Sequence, residues 1–319
     1  MIQDNLQKIE PLSFSFNGEG NEKIHALKWL PSPENIKAIL IINHGMAEHI
    51  SRYDSFASFM AEKGFAVYGE DHRGHGDTAG SVDNLGYFAD EKGWMKVIGD
   101  IRTLYLLALD EQKNLPVFML GHSMGSFLTR HYLSLYGSEI TAAVISGTGF
   151  QSSLLLSIAK ILSTLESAVK GKRHRSKMLD TLSFGSNNKS FDFDGAHGFE
   201  WLSRDSDQTR KYVEDPYCGF ICTSGFFSDL ADGLKIINKK SCYAATPDNL
   251  PLLLYSGKDD PVGNFGKVVE SVASSYRKNG NNEITVMLKD DMRHECLDEL
   301  GCEDCYQEIY KWMTARLSG

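Results

Sequence analysis

Short apolar runs, most of them closed by a glycine, asparagine, aspartate or histidine, recur through the first half of the chain at 12–16, 23–30, 37–43, 65–70, 115–120 and 142–146. Their length and their β-branched and aromatic content predict strands. Between the later runs, 54–63 and 94–107 carry apolar residues three and four apart, the period of a helix with one buried side. Two strands followed by strand and helix in alternation predict an α/β fold, with a mostly parallel central sheet and helices on both faces.

The alternation stops after Phe150. No strand pattern is visible from 151 to about 222, and the stretch opens with Leu154, Leu155, Ile158, Ile161, Leu162, Leu165 and Val169 on one side of a helical wheel, followed by the basic run Lys170, Lys172, Arg173, Arg175 and Lys177. Strand and helix patterns resume at 252–255, 265–276, 284–288 and 299–317. The organisation expected is one core built from 1–150 and 223–319, interrupted by a largely helical cap insertion at 151–222.

Composition narrows the class. Hydrophobic residues at 42% and charged residues at 24% are those of a soluble globular protein. No apolar run reaches the roughly 18 residues of a membrane span. The first 14 residues have neither a basic start nor an apolar core, so no secretory signal is read and a cytoplasmic location is expected. A net charge of -9 argues against a nucleic-acid partner, whose phosphates need an excess of Lys and Arg. The six cysteines, at 218, 222, 242, 296, 302 and 305, are expected to be free thiols. Cys302 and Cys305, with Cys296 and His294, make an incomplete zinc set at the start of a predicted amphipathic helix, and no metal is expected.

The chemistry centres on Gly121-His122-Ser123-Met124-Gly125, between the apolar run 115–120 and a helix-like segment at 126–136. A serine nucleophile must stand at the tip of a sharp strand-to-helix turn, and glycines two residues to either side let the chain pass. The motif is short enough to arise by chance, so partners must support it. Serine needs a base to take its proton and a third group to fix that base's tautomer, here in the order Ser, acid, His. The strand at 252–255 leads into Ser256-Gly257-Lys258-Asp259-Asp260-Pro261, and the last strand leads into Asp290-Asp291-Met292-Arg293-His294. Both loops open on the sheet edge that carries Ser123. Asp260, directly before Pro261, is preferred as the acid, Asp259 is the reserve, and Asp290 and Asp291 lie too close to His294. The ordinary alternative is that these are solvated loop residues. Donors for a tetrahedral oxyanion are expected from the backbone N–H of Met124 and of Met46, the latter in the loop Asn43-His44-Gly45-Met46-Ala47-Glu48-His49.

Taken together, His44-Gly45-Met46-Ala47-Glu48-His49 with Arg52-Tyr53, Asp71-His72-Arg73-Gly74-His75-Gly76, Gly121 to Ser126, Gly257 to Asp260 and Arg293-His294-Glu295 resemble the serine hydrolases containing monoacylglycerol lipase and bacterial lysophospholipases, of the α/β-hydrolase fold. Their order and spacing match as well. Within the insertion, Trp201 to Asp205 and Asp215 to Phe220 are similar to cap segments of lysophospholipase-like members. The resemblance implies Ser123, Asp260 and His294 as the triad, Met46 and Met124 as the oxyanion hole, and no cofactor. Histidines 44, 49, 72 and 75 could suggest a metal, but their glycine-rich turns suit tight loop packing, and they are expected to be structural hydrogen-bonders.

The substrate implied is a small-molecule acyl ester, with monoacylglycerols, lysophospholipids and similar lipid esters ahead of short-chain esters. Thioester, amide or peptide cleavage by the same triad, or a ligand receptor on a hydrolase fold, are the alternatives. The stripe from Leu154 to Val169 has two readings. It packs on the core, as amphipathic helices ordinarily do, or it accepts an acyl chain or touches a lipid surface together with the basic run.

Overall fold

A computed structural model of the chain describes residues 8–113, 115–191 and 196–317. Residues 1–7, on which the reading of the leader partly rests, lie outside them. Eight strands, β1 (Leu12–Asn17), β2 (Lys23–Trp29), β3 (Ala38–Asn43), β4 (Phe65–Glu70), β5 (Val117–His122), β6 (Ala142–Ser146), β7 (Leu252–Gly257) and β8 (Ile284–Lys289), make one sheet. Their order is β1-β2-β4-β3-β5-β6-β7-β8. β2 runs antiparallel to both β1 and β4, and the pairs from β4 across to β8 are parallel. β5 starts at Val117 rather than at 115, because Pro116 has no N–H to give the ladder, although its carbonyl still accepts from Ile39 N–H at 2.9 Å.

The all-apolar strands are explained by burial on both faces. Ile39 and Ile41 of β3, with Met119 of β5, share a core with Ile101 of α2 (Gly93–Glu111) and Leu128 of α3 (Met124–Tyr136), which α9 (Lys267–Lys278) extends over β7 and β8 through Val272. Their neighbours Leu40, Ile42 and Phe118 point the other way, onto Phe56 of α1 (Asp54–Glu62) and Ile309 of α10 (Cys302–Thr314). Each such side chain contributes about 1.5–3 kcal/mol on burial. The C-terminal helix is shorter than its apolar pattern suggests, since Cys296–Asp298 winds as a 3-10 turn and Gly301, at φ 76°, precedes the first helical residue.

Between β6 and β7 lie α4 (Ser153–Lys170), α5 (Lys177–Phe184), α6 (Ser206–Glu214), α7 (Ser224–Ile237) and α8 (Lys240–Ala245). α4 reverses the usual amphipathic arrangement. The side it turns to α7 is mostly small and polar, with Leu156 as its buried apolar contact beside Leu234 and Ile237: Lys160 Nζ donates to Ser228 Oγ at 2.7 Å and pairs with Asp232, and Ser167 Oγ donates to Ser224 Oγ at 2.8 Å. Its apolar stripe faces outward, with Leu154 71%, Ile161 59% and Val169 83% exposed. Only Leu162 of that stripe packs against the main core. The core-packing reading of the stripe is therefore overturned: the ion pair and serine contacts with α7 fix the helix the other way round.

The basic run is also placed differently from the expectation. Lys170 pairs with Glu166 at 3.0 Å, Lys172 donates to the Asp90 carbonyl, Arg173 lies over the Tyr87 ring at 4.2 Å, and Arg175 donates to the carbonyls of Ile221 (3.1 Å) and Val82 (2.6 Å). Lys170 thus stays within α4, while Lys172, Arg173 and Arg175 tie the loop after it to the body of the protein.

Candidate active site

The strand order reverses around β3, whose neighbours are β4 on one side and β5 on the other. The connections leaving β3 and β5 diverge there and open a crevice at the carboxyl ends of the strands. Ser123 stands at that point, between β5 and α3, with φ 51° and ψ −118°. A side chain in such a conformation costs of order 1–3 kcal/mol, which the surroundings must offset. They do so by crowding and hydrogen bonding. A Cβ on Gly121 would sit 2.3 Å from the Gly125 carbonyl oxygen, and one on Gly125 would sit 2.0 Å from that of Asn43. The Ser123 N–H donates to the Ser146 carbonyl at 3.0 Å.

Asp260 follows β7 and is fully buried. Its carboxylate accepts from the Val262 N–H at 2.8 Å and from Ser256 Oγ at 3.0 Å. His294 Nδ1 lies 3.0 Å from Asp260 Oδ1, an ion-pair distance with the ring turned off the line of an ideal hydrogen bond. His294 Nε2 has no hydrogen-bond partner among the described residues. Catalytic contacts of this kind tighten when substrate binds. Burial alone would lower the His294 pKa, but the Asp260 carboxylate outweighs it and the net shift is upward. For Asp260, burial works against ionisation, and the His294 ring with the two hydrogen-bond donors holds the carboxyl below its ordinary value. The loop bearing His294 presses on the strand end so tightly that a Cβ on Gly257 would meet the Met292 carbonyl oxygen at 1.9 Å.

Asp259 takes no part in this cluster. Its N–H donates to the Met292 carbonyl at 2.9 Å, and its half-buried carboxylate makes no hydrogen bond or ion pair among the described residues. Asp290 pairs with Lys258 on the surface and Asp291 is exposed.

Met46 and Met124 line the same cavity as Ser123 and His294. Neither backbone N–H has a hydrogen-bond partner among the described residues, and Met124 opens α3, where the helix end carries partial positive charge. The cavity holds about 270 Å³ and is walled mainly by apolar side chains: Phe127 and Leu230 from the core side, with Phe184, Phe199, Trp201 and Phe220 from the insertion.

Several residues that the motifs contained, but to which no role was given, complete the surroundings. Glu48, buried, accepts from the Gly45 N–H and from Tyr53 Oη (2.8 Å), and pairs with Arg52. Arg52 in turn reaches Glu295 and Asp298. Burial opposes the charge on Glu48, but Arg52, His122 and the donors around it keep its carboxyl below the usual range. His122 packs its ring 4.6 Å from that of His294, and burial lowers its pKa to about 4, so it is neutral.

Histidines 44, 49, 72 and 75 are all hydrogen-bonded. His44 Nδ1 meets the Gly45 carbonyl at 2.7 Å while its Nε2 accepts from the His72 N–H at 2.9 Å, and His75 Nδ1 meets the Arg73 carbonyl at 2.9 Å. Burial lowers both His72 and His75 to a pKa of about 3. His49 bonds to Asp215 at 2.9 Å. Cys296, Cys302 and Cys305 do not form a ligand cluster with His294. The groups close enough to share an ion among the described residues are His49 with Asp215 and Cys218, and His25 with Asp71 and Asp77.

Comparison with known proteins places this geometry. Residues 34–301 match the Hydrolase_4 family, described as serine aminopeptidase, S33. The chain is 25% identical to the monoacylglycerol lipase of Mycolicibacterium smegmatis over 311 residues, covering 95% of this chain and 97% of that protein. It is 29% identical to the monoglyceride lipase of Rattus norvegicus over 241 residues, 73% of this chain and 68% of the rat protein. The structure resembles that of a thermostable carboxyl esterase from Bacillus coagulans in complex with glycerol, with a TM-score of 0.85, 25% identity, and coverage of 97% and 99% of the two chains. The chain belongs to the Hydrolase_4 family of serine hydrolases and has the α/β-hydrolase fold.

Proposed function

We propose that this protein hydrolyses monoacylglycerols, lysophospholipids or similar lipid esters through a covalent acyl-enzyme on Ser123. That the chain is a carboxylic ester hydrolase follows from its family and from its lipase and esterase relatives. The observation that carries the finer reading is Ser123 at a strained strand-to-helix turn, facing an apolar cavity that it shares with the buried His294, itself beside Asp260.

In this reading Ser123 Oγ attacks the ester carbonyl carbon while His294 Nε2 takes its proton. The oxygen that becomes negative receives hydrogen bonds from the N–H groups of Met46 and Met124. The tetrahedral intermediate collapses, the C–O bond to the alcohol breaks, and His294 returns the proton to the departing alkoxide. Water then repeats the sequence on the acyl-serine and releases the carboxylic acid. Asp260 holds the imidazole in the tautomer with a proton on Nδ1 and stabilises its charged form. No step calls for a metal or cofactor.

Residues 151–222 act as the cap in this scheme and residues 1–150 and 223–319 as the hydrolase core. The exposed stripe on α4 gives the cap a surface suited to transient contact with lipid, and the apolar side chains carry that contact rather than the committed basic run. Short carboxylic esters are the second reading, favoured by the likeness to the Bacillus coagulans esterase.

The test is labelling and turnover together. A fluorophosphonate probe should modify Ser123 stoichiometrically, purified protein should release fatty acid from a monoacylglycerol, and Ser123→Ala should abolish both. An unlabelled Ser123 with no burst of p-nitrophenol from an acyl ester would falsify the acyl-enzyme.

A further inference from the structure

The insertion is attached to the core in two different ways. α4 and α5 present exposed apolar side chains, whereas the stretch from Glu200 to Gly219 is bonded directly to both loops that flank Ser123. On the side of the histidine, the N–H groups of His294 and Glu295 donate to the carbonyls of Trp201 (3.3 Å) and Leu202 (2.8 Å), and Arg293 Nη1 donates to the Glu200 carbonyl at 2.6 Å. The Trp201 ring lies 5.0 Å from that of His294.

On the other side the contacts converge on one carbonyl. Ala47 follows Met46 and has φ +55°, a left-handed conformation that a residue with a Cβ rarely adopts unless it is held. Its carbonyl accepts two hydrogen bonds, one from Tyr212 Oη at 2.9 Å and one from the Gly219 N–H at 3.0 Å. Both donors belong to the insertion. The Ala47 carbonyl and the Met46 N–H lie on either side of the planar Met46–Ala47 peptide, so holding the one limits the direction of the other. The Gly45 N–H one residue earlier is held from the core side by Glu48. The tripeptide 45–47 is thus clamped at one end by the core and at the other by the insertion. Tyr212 is held in turn, since its ring lies 4.9 Å from the Arg52 guanidinium.

We propose that Tyr212 is a positioning residue for the oxyanion site: its hydroxyl holds Ala47 so that the Met46 N–H points at the developing negative charge. The Glu200–Gly219 part of the insertion is then a structural half of the catalytic centre. The inference rests on the reading of Ser123 as nucleophile and Met46 as oxyanion donor.

Tyr212→Phe keeps the ring over Arg52 and removes only the hydroxyl, which makes it the decisive variant. Misplacing one donor by a fraction of an ångström should lower kcat by about tenfold to a hundredfold, less than the roughly hundredfold to thousandfold loss when such a donor is deleted. KM for a soluble p-nitrophenyl ester should stay within about twofold, because the donor acts on the tetrahedral state and not on the bound ester. Binding of an alkyl boronic acid, which forms a tetrahedral anion on the serine, should weaken by the same factor as kcat. Tyr212→Gln, whose amide N–H can donate to the same carbonyl, should recover part of the loss. All rates are taken per site titrated with fluorophosphonate, so partial unfolding does not enter. A Tyr212→Phe protein with wild-type kcat, or with a loss confined to KM, overturns the proposal while wild-type labelling at Ser123 leaves the nucleophile reading intact. Wild-type protein that does not label at all removes the reading on which it rests.

Discussion

Arg52 donates two parallel hydrogen bonds to the carboxylate of Glu295, 2.7 Å each, and so joins the turn after β3 to the residue that follows His294. The same guanidinium pairs with Glu48, which holds the Gly45 N–H. The loop proposed to bind the oxyanion and the loop carrying the histidine are therefore fixed relative to one another by a single, largely covered cation. Removing it by Arg52→Met leaves Glu48, Glu295 and Asp298 clustered without a counter-charge. We expect a loss of about 3–5 kcal/mol, as for other buried pairs broken on one side. Denaturant unfolding checks it. Arg52→Lys should restore only part, since an ammonium cannot make the two-pronged contact.

The two neighbouring aspartates should behave oppositely. Asp260→Asn should reduce kcat by about ten-thousandfold, the loss known when the orienting carboxylate of such a triad becomes an amide. Asp259→Asn should remain near wild type, because its carboxylate touches neither His294 nor any other charged group among the described residues. Steady-state hydrolysis of a p-nitrophenyl ester separates the two, and the reverse ranking would reassign the acid.

The pH profile follows from the direction of the His294 shift. The base must be neutral to accept the Ser123 proton, so activity falls as pH drops through the histidine's pKa. That pKa is raised above its ordinary value of about 6.5 by the Asp260 carboxylate against the opposing effect of burial. The acid limb of kcat/KM should therefore lie above about 6.5 in the free enzyme. In Asp260→Asn the residual activity should persist to lower pH, since the charge that favours imidazolium is gone while burial remains. An acid limb that does not move on that substitution would place the titration on another group.

Glycine at 125 and 257 should be indispensable for backbone reasons. A methyl group at Gly125 would overlap the Asn43 carbonyl oxygen at 2.0 Å, and at Gly257 the Met292 carbonyl oxygen at 1.9 Å. The clashing atoms are backbone, which no rotamer change relieves. We expect each Ala variant to lose roughly 1–3 kcal/mol or more, read as a lower melting temperature, with Gly257→Ala also slowing turnover by displacing the His294 loop.

The outward stripe on α4 gives a separate expectation. Ile161→Asp with Leu165→Asp should diminish sedimentation with phosphatidylcholine vesicles while leaving hydrolysis of a soluble short-chain ester near wild type. Because the contact is apolar, wild-type binding should change little between low and high salt. Binding that vanishes at high salt would point instead to the basic residues.

Much of the architecture was readable because it depends on local periodicity. Strands buried on both faces must be apolar along their length, and β3, β4 and β5 are so up to the polar residues Asn43, Glu70 and His122 that end them. The elbow was readable because a serine at positive φ, packed against neighbouring backbone, demands glycines at fixed offsets. The order of Ser123, Asp260 and His294 along strand ends fixed which residues to consider, and spacing alone kept Asp259 beside Asp260.

Contacts between segments far apart in the chain decided the rest. His294 approaches Asp260, and not Asp259, to 3.0 Å across a separation of 34 positions, which no local pattern encodes. The α4 stripe had the composition of a core-facing helix, yet Lys160, Ser163 and Ser167 turn its polar side toward α7, because an ion pair and small side chains allow that close approach. The hold of Tyr212 on Ala47 spans 165 positions and ends on a backbone carbonyl, a group that every residue carries and that sequence cannot single out. Sequence determined which groups were present and which elements would present them. Only the folded chain determined which carbonyls, charges and apolar faces meet.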